Sequence, residues 1–266
     1  MTRSFRLFLF CALFAASHPG FAFAKLSPET TQAFDRYVQA AESKMAQDAQ
    51  PGRFLRVDSA PDVKAKLRSG DVRIETCPPP DPGIQVSGGL LQDWLGTMFI
   101  PNARIPQVKA VLQDYANYKN IYQPKVIDSK EISRRGDEFD IFLRLYEKHI
   151  LTVVLNTNYH VRYETLDPQR MYVTSHSTRI AELKDPKRNR DEEKVGDDTG
   201  FLWRLNSYWR FEEADGGVYA ECEAISLSRD LPLGLAFLLK GFIEQFPKES
   251  MANTLRGTRE AVTKRF

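Results

Sequence analysis

Two alternating runs joined at an Asp-Gly turn, then a long apolar segment, constrain this chain more than anything else in it. Residues 201–211 and 218–228 each alternate in polarity, and Asp215-Gly216-Gly217 lies between them. A two-residue type I′ turn needs positive φ at both central positions, which Asp-Gly tolerates, so a β-hairpin is expected. That turn pairs Ala214 with Gly217. It sets Arg210 opposite Glu221 and Tyr208 opposite Glu223, and opposite charges facing each other across strands are stabilising. Leu231–Phe246 is mostly apolar, with Asp230 as candidate N-cap. Met251, Leu255, Thr258 and Val262 continue one helical face beyond Pro247, where a kink is expected.

Upstream, Phe34, Val38, Ala41 and Met45 make one face of a helix over 28–47. Short strands are expected at 54–57 and 72–77, with a helical turn at 63–68. The Pro-rich run 78–83 holds no regular element. Residues 25–83 therefore read as an N-terminal extension, too poor in apolar residues for a core of its own. Beyond it come a strand at 94–100, a helix at 105–114 and an aromatic-rich turn at 114–124. Strands follow at 125–133, 139–146, 152–163 and 170–183. Residues 184–198 carry five basic and six acidic side chains in fifteen, which marks a solvated insertion over 184–199. Strands in succession followed by a helix indicate an α+β fold.

The first 24 residues read as a secretory signal peptide: Arg3 and Arg6, an apolar run over 7–16, then Ala22-Phe23-Ala24. The reading implies an exported protein, periplasmic or secreted, and no later apolar run reaches transmembrane length. The chain has 37 Lys+Arg and 35 Asp+Glu, so losing Arg3 and Arg6 leaves 35 of each. A formally neutral chain has no global field for phosphate backbones, which argues against nucleic acid. Cys77 and Cys222 remain, too few for a disulfide framework, and Cys222 alternates with Ala220 and Ala224 as a packed small side chain does.

The strand at 94–100, the turn Asp114-Tyr115…Tyr118…Pro124, Trp209-Arg210-Phe211, Asp215-Gly216-Gly217 and Leu231-Pro232-Leu233-Gly234 together resemble the START-like (SRPBCC, helix-grip) superfamily over roughly residues 88–264. The order of elements carries more of the resemblance than any single residue. It implies a curved antiparallel sheet of about seven strands around a long C-terminal helix, with a cavity between them for a lipid or another apolar molecule. It carries over no catalytic residue.

Strand parity proposes which side chains face that cavity. Trp203, Leu205, Ser207, Trp209 and Phe211 share one face of the hairpin with Ala220, Cys222, Ala224 and Ser226. Arg204, Asn206, Tyr208, Arg210, Glu221 and Glu223 share the other, expected to be wet. The expected cavity lining is Trp203, Ser207, Trp209, Cys222, Ala224, Tyr159, Arg179 and Phe242, with Arg179 a candidate for orienting an anionic head group. The parity of strand 170–183 is open between the set of Val173 and Ser175 and the set of Tyr172 and His176. No metal-ligand spacing, nucleophile elbow or phosphate loop is present, so neither a metal nor a cofactor is expected. The first reading is a carrier or sensor for an apolar molecule. A cyclase or isomerase using Arg179, His176 or a tyrosine is the second. An envelope module docking through 25–83 or 184–199 is the third.

Overall fold

A computed structural model of the chain describes residues 24–48, 52–77, 83–148, 152–188, 190–230 and 236–266, with side chains except at 24 and 236–244. The expected signal peptide up to residue 23, the Pro-rich run 78–82, His149 and residues 231–234 lie outside the described residues.

The fold is α+β, built on a nine-stranded antiparallel sheet. Before it come a two-residue strand β1 (Ala24–Lys25), helix α1 (Pro28–Asp48), a 3-10 turn at Arg56–Ser59 and helix α2 (Pro61–Arg68). The strands follow in order as β2 (Val72–Thr76), β3 (Ile84–Val86), β4 (Gly89–Pro101), β5 (Val126–Arg135), β6 (Glu138–Lys148), β7 (Thr152–Asp167), β8 (Arg170–Glu182), β10 (Arg204–Ala214) and β11 (Gly217–Arg229). Short helices α3 (Ile105–Leu112) and α4 (Tyr118–Ile121) connect β4 to β5, and the long α5 (Ala236–Arg265) closes the chain, running on through Pro247. Across the sheet the order is β2-β4-β11-β10-β8-β7-β6-β5, with β3 also on β4. β2 and β3 lie end to end along β4, against 94–98 and 89–91.

The hairpin register is the one its turn demands. Ala214 pairs with Gly217, Arg210 with Glu221 and Tyr208 with Glu223. Asp215 and Gly216 have φ of 51° and 77°, as a type I′ turn requires.

Over β4, β11 and β10 both faces of the sheet are covered, and this corrects the expectation that the outer face of the hairpin is wet. On the inner face Met98, Ile100, Phe211, Val218 and Ala220 pack with Leu255 and with α3. On the outer face α1 brings Phe34 and Met45 onto Leu91, Tyr208, Ile225 and Leu227. Phe54, Leu55, Val57 and Leu67 cover Phe99 and Tyr219. Tyr208, Arg210, Glu221 and Glu223 are consequently buried. Double coverage also explains why Leu90-Leu-Gln-Asp-Trp-Leu-Gly-Thr-Met-Phe-Ile100 does not alternate: a strand buried on both sides reads as a near-continuous apolar run. Cys77 and Cys222 are free thiols. They lie on opposite sides of the sheet, Cys77 against Arg56 of the outer layer and Cys222 in the inner core.

The charged insertion folds back on the sheet. Leu183 bridges to Glu192, and strand β9 (Asp197–Asp198) pairs with β1. Asp198 is buried and accepts the Trp203 indole N–H at 3.0 Å.

Candidate functional site

The inner face is hollow for a reason that starts at Gly96 in β4. A Cβ there would lie 2.6 Å from Leu255 Cδ1 and 2.7 Å from Met251 Cγ, so the bare glycine lets α5 sit hard against β4. The principal contacts of α5 are with β4 and β2 on one side and with α3 and α4 on the other. Between α5 and strands β11, β10, β8, β7 and β6 lies a cavity of about 410 Å³. Small side chains keep it open: Ser207 on β10, Ser175 on β8, and Cys222, Ala224 and Ser226 on β11. Trp94, Trp209, Tyr159, Ile141 and Val173 form the apolar walls, and Phe246, Pro247, Ser250, Met251 and Thr254 form the roof.

The two ends of the cavity differ chemically. One end is a tyrosine cluster from the aromatic turn. The Leu112 carbonyl accepts from Tyr118 Oη at 2.5 Å and from Tyr163 Oη at 2.9 Å. Tyr115 Oη and Tyr163 Oη share a hydrogen bond at 2.7 Å, and Tyr122 Oη meets Thr258 Oγ1 at 3.0 Å. Burial pushes the Tyr118 and Tyr163 hydroxyls well above their usual range, so they are neutral, both committed as donors to the Leu112 carbonyl and poorly suited to proton transfer near pH 7. The other end lies where β4 and β11 meet near Leu90 and Ser228 and where β6 ends. There Lys125 and Glu147 form a close ion pair in the wall, with Lys125 Nζ 5.2 Å from the Phe246 ring centroid. Burial raises the Glu147 carboxyl, and the hydrogen bond from Lys125 pulls the other way. Gln92, Thr199 and Arg229 complete this polar end, beside the apolar Phe201 and Leu202.

The expected lining divides. Ser207, Trp209, Cys222, Ala224 and Tyr159 stand on the cavity wall. Trp203 does not. Regular pairing of β10 begins at Arg204, and Trp203 turns to the outer face among Phe34, Leu91 and Tyr208. Arg179 does not either. Thr178 is an extra residue between the pairs Asn158–Arg179 and Tyr159–Ser177, and this bulge reverses the side on which Arg179 emerges. Arg179 instead grips Glu192 of the charged insertion. The Phe242 side chain lies outside the described residues. In β8 the set of Val173 and Ser175 faces inward, while His176 faces outward and meets Glu42 of α1 at 2.9 Å. Sequence reasoning missed Lys125, Glu147 and the tyrosine cluster. The aromatic turn at 114–124 was the signal for the tyrosines. Nothing marked Lys125 and Glu147, which are 22 residues apart and meet only through the β5–β6 pairing.

An antiparallel sheet closed by a long C-terminal helix, with a hollow held between them, defines the architecture. The fold is a helix-grip. No protein-family model matches the chain, and no curated protein matches its sequence. Solved structures of this architecture include a STAR-related lipid transfer protein fragment from Xanthomonas axonopodis. It is 18% identical at a TM-score of 0.46, over 69% of this chain and 99% of that one. The Zhui aromatase/cyclase of Streptomyces sp. R1128 is 11% identical at a TM-score of 0.46, over 66% and 95%. Human STARD10 is 12% identical at a TM-score of 0.44, over 68% and 71%.

Proposed function

We propose that this protein binds one apolar or weakly polar small molecule, a lipid above all, in the START-like cavity, and serves as its carrier or sensor after export. The observation that carries this reading is the hollow of about 410 Å³, walled mainly by apolar side chains, between the sheet and α5. Its volume lies within the range of small-molecule sites, about 300–1,000 Å³. The cyclase reading has lost two of its three candidate groups from the cavity, since His176 and Arg179 both emerge on the outer side.

Native mass spectrometry of protein purified without detergent tests the reading. A co-purified apolar species, released on denaturation, is expected. A protein that carries nothing and fails to bind an apolar fluorescent probe sinks it. The export component has its own check: the mature polypeptide should begin at Lys25.

A further inference from the structure

Behind the cavity wall, between the outer face of the sheet and the N-terminal extension, lies a buried cluster of acids and bases that ligand binding does not use. Asp93 on β4 and Glu221 and Glu223 on β11 point away from the cavity, while their neighbours Trp94, Cys222 and Ala224 line it. Arg210 of β10 approaches Glu221 at 3.4 Å and Glu223 at 3.5 Å. The extension supplies the remaining groups. Arg56 donates to Glu223 Oε2 at 2.8 Å and to Cys77 Sγ at 3.1 Å. The backbone N–H groups of Arg56 and Val57 donate to Glu221 at 3.0 and 3.1 Å. Tyr37 of α1 donates to Asp93 Oδ2 at 2.9 Å.

Charge counting leads to the conclusion. Three carboxyls, each from a residue at most 5% exposed, face two guanidiniums, Arg56 and Arg210. Among the described residues the other titratable groups acting on Asp93 or Glu223 are Tyr37, Tyr172, Cys77 and Cys222. None of these supplies a positive charge, and burial pushes the Cys77 thiol up to about 12, so it remains an uncharged thiol. A buried carboxylate without a counter-charge is costly, and taking up a proton removes that cost. Asp93 is the carboxyl without an arginine partner in hydrogen-bond contact. Among the described residues its Oδ1 has no hydrogen-bond partner, and burial together with the Glu223 charge raises it to about 8. Cys77, Asp93 and Glu223 come within 4.8 Å of one another, as metal-binding groups do, but the Arg56 guanidinium already occupies the space between Cys77 and Glu223.

We infer that docking of the N-terminal extension on the back of the cavity wall is proton-linked: Asp93 carries a proton while Tyr37 and Arg56 are seated, and losing it loosens the extension. The inference is independent of what the cavity holds. Its sign follows from linkage. A carboxyl whose proton is held more tightly in the folded state stabilises fully at low pH, and that stability is lost as pH rises.

Wild type and Asp93→Asn are compared in urea unfolding from about pH 5 to about pH 9, so that titrations common to both cancel. The ratio of wild-type to variant unfolding constants should climb with pH by up to about tenfold per unit, then level off. Limited proteolysis at the alkaline end should cut within residues 25–77 faster in wild type than in Asp93→Asn. A flat ratio, a falling ratio, or identical cleavage in the two proteins overturns the inference. Should Asp93→Asn fail to fold, Glu223→Gln replaces it. Removing that neighbouring charge must move the wild-type pH dependence to lower pH, and an unmoved profile overturns the inference equally.

Discussion

Ala224→Trp puts the hollow to its sharpest test. Ala224 stands on the cavity wall beside Trp94 of β4 and opposite Ser207 of β10. A Trp there turns an indole into the hollow of about 410 Å³ and takes up a substantial part of it. A ligand that filled the cavity would have about six carbons displaced. At about 0.8 kcal/mol per buried methylene that is about 5 kcal/mol, or more than a thousandfold in affinity. The fold should survive, because the ring enters open apolar space, and overpacking typically costs about 1–3 kcal/mol. Titration of an apolar fluorescent probe, with near-ultraviolet circular dichroism to confirm native packing, reads both outcomes. Probe affinity within about threefold of wild type in a natively packed variant refutes the reasoning, because the ligand then sits elsewhere.

Three further predictions follow from placement. Gly96→Val should destabilise by about 1–3 kcal/mol or displace α5, since even a Cβ meets Leu255 at 2.6 Å; an unchanged urea midpoint would contradict the close helix–sheet contact. Arg210→Met should cost about 3–5 kcal/mol at neutral pH, because it leaves buried Glu221 and Glu223 with one guanidinium between them; a loss under about 1 kcal/mol would speak against the buried charge cluster. Arg179→Ala and Trp203→Phe should both leave probe affinity unchanged, and only the second, which deletes the indole bond to Asp198, should lower stability, by about 1–3 kcal/mol. Weakened probe binding in either would return those side chains to the cavity.

The hairpin register was legible because its information is local: an Asp-Gly turn fixes the register, and the register fixes the face of every side chain from Arg204 to Leu227. Legibility failed where alternation is interrupted by something the strand itself does not encode. The Thr178 bulge depends on how β7 and β8 pair, so parity counted through it misplaced Arg179. Trp203 lies one residue outside the paired strand, where parity has no meaning. The polar parity of β10 and β11 read as a wet surface because alternation records polarity, not exposure. Arg210, Glu221 and Glu223 are charged and buried together because a layer 120 or more residues earlier in the chain comes back to cover them.

That returning layer makes the first quarter of the described chain inseparable from the rest. Expressing residues 84–266 alone would strip β4 of its strand neighbour β2 and leave Leu91, Phe99, Tyr219 and Ile225 bare beside Arg210, Glu221 and Glu223. Such a fragment would offer solvent both a sticky apolar belt and an unpaired strand edge, the combination that drives self-association. The boundary that looks most cuttable on paper, the proline run, is therefore the wrong place to trim this protein.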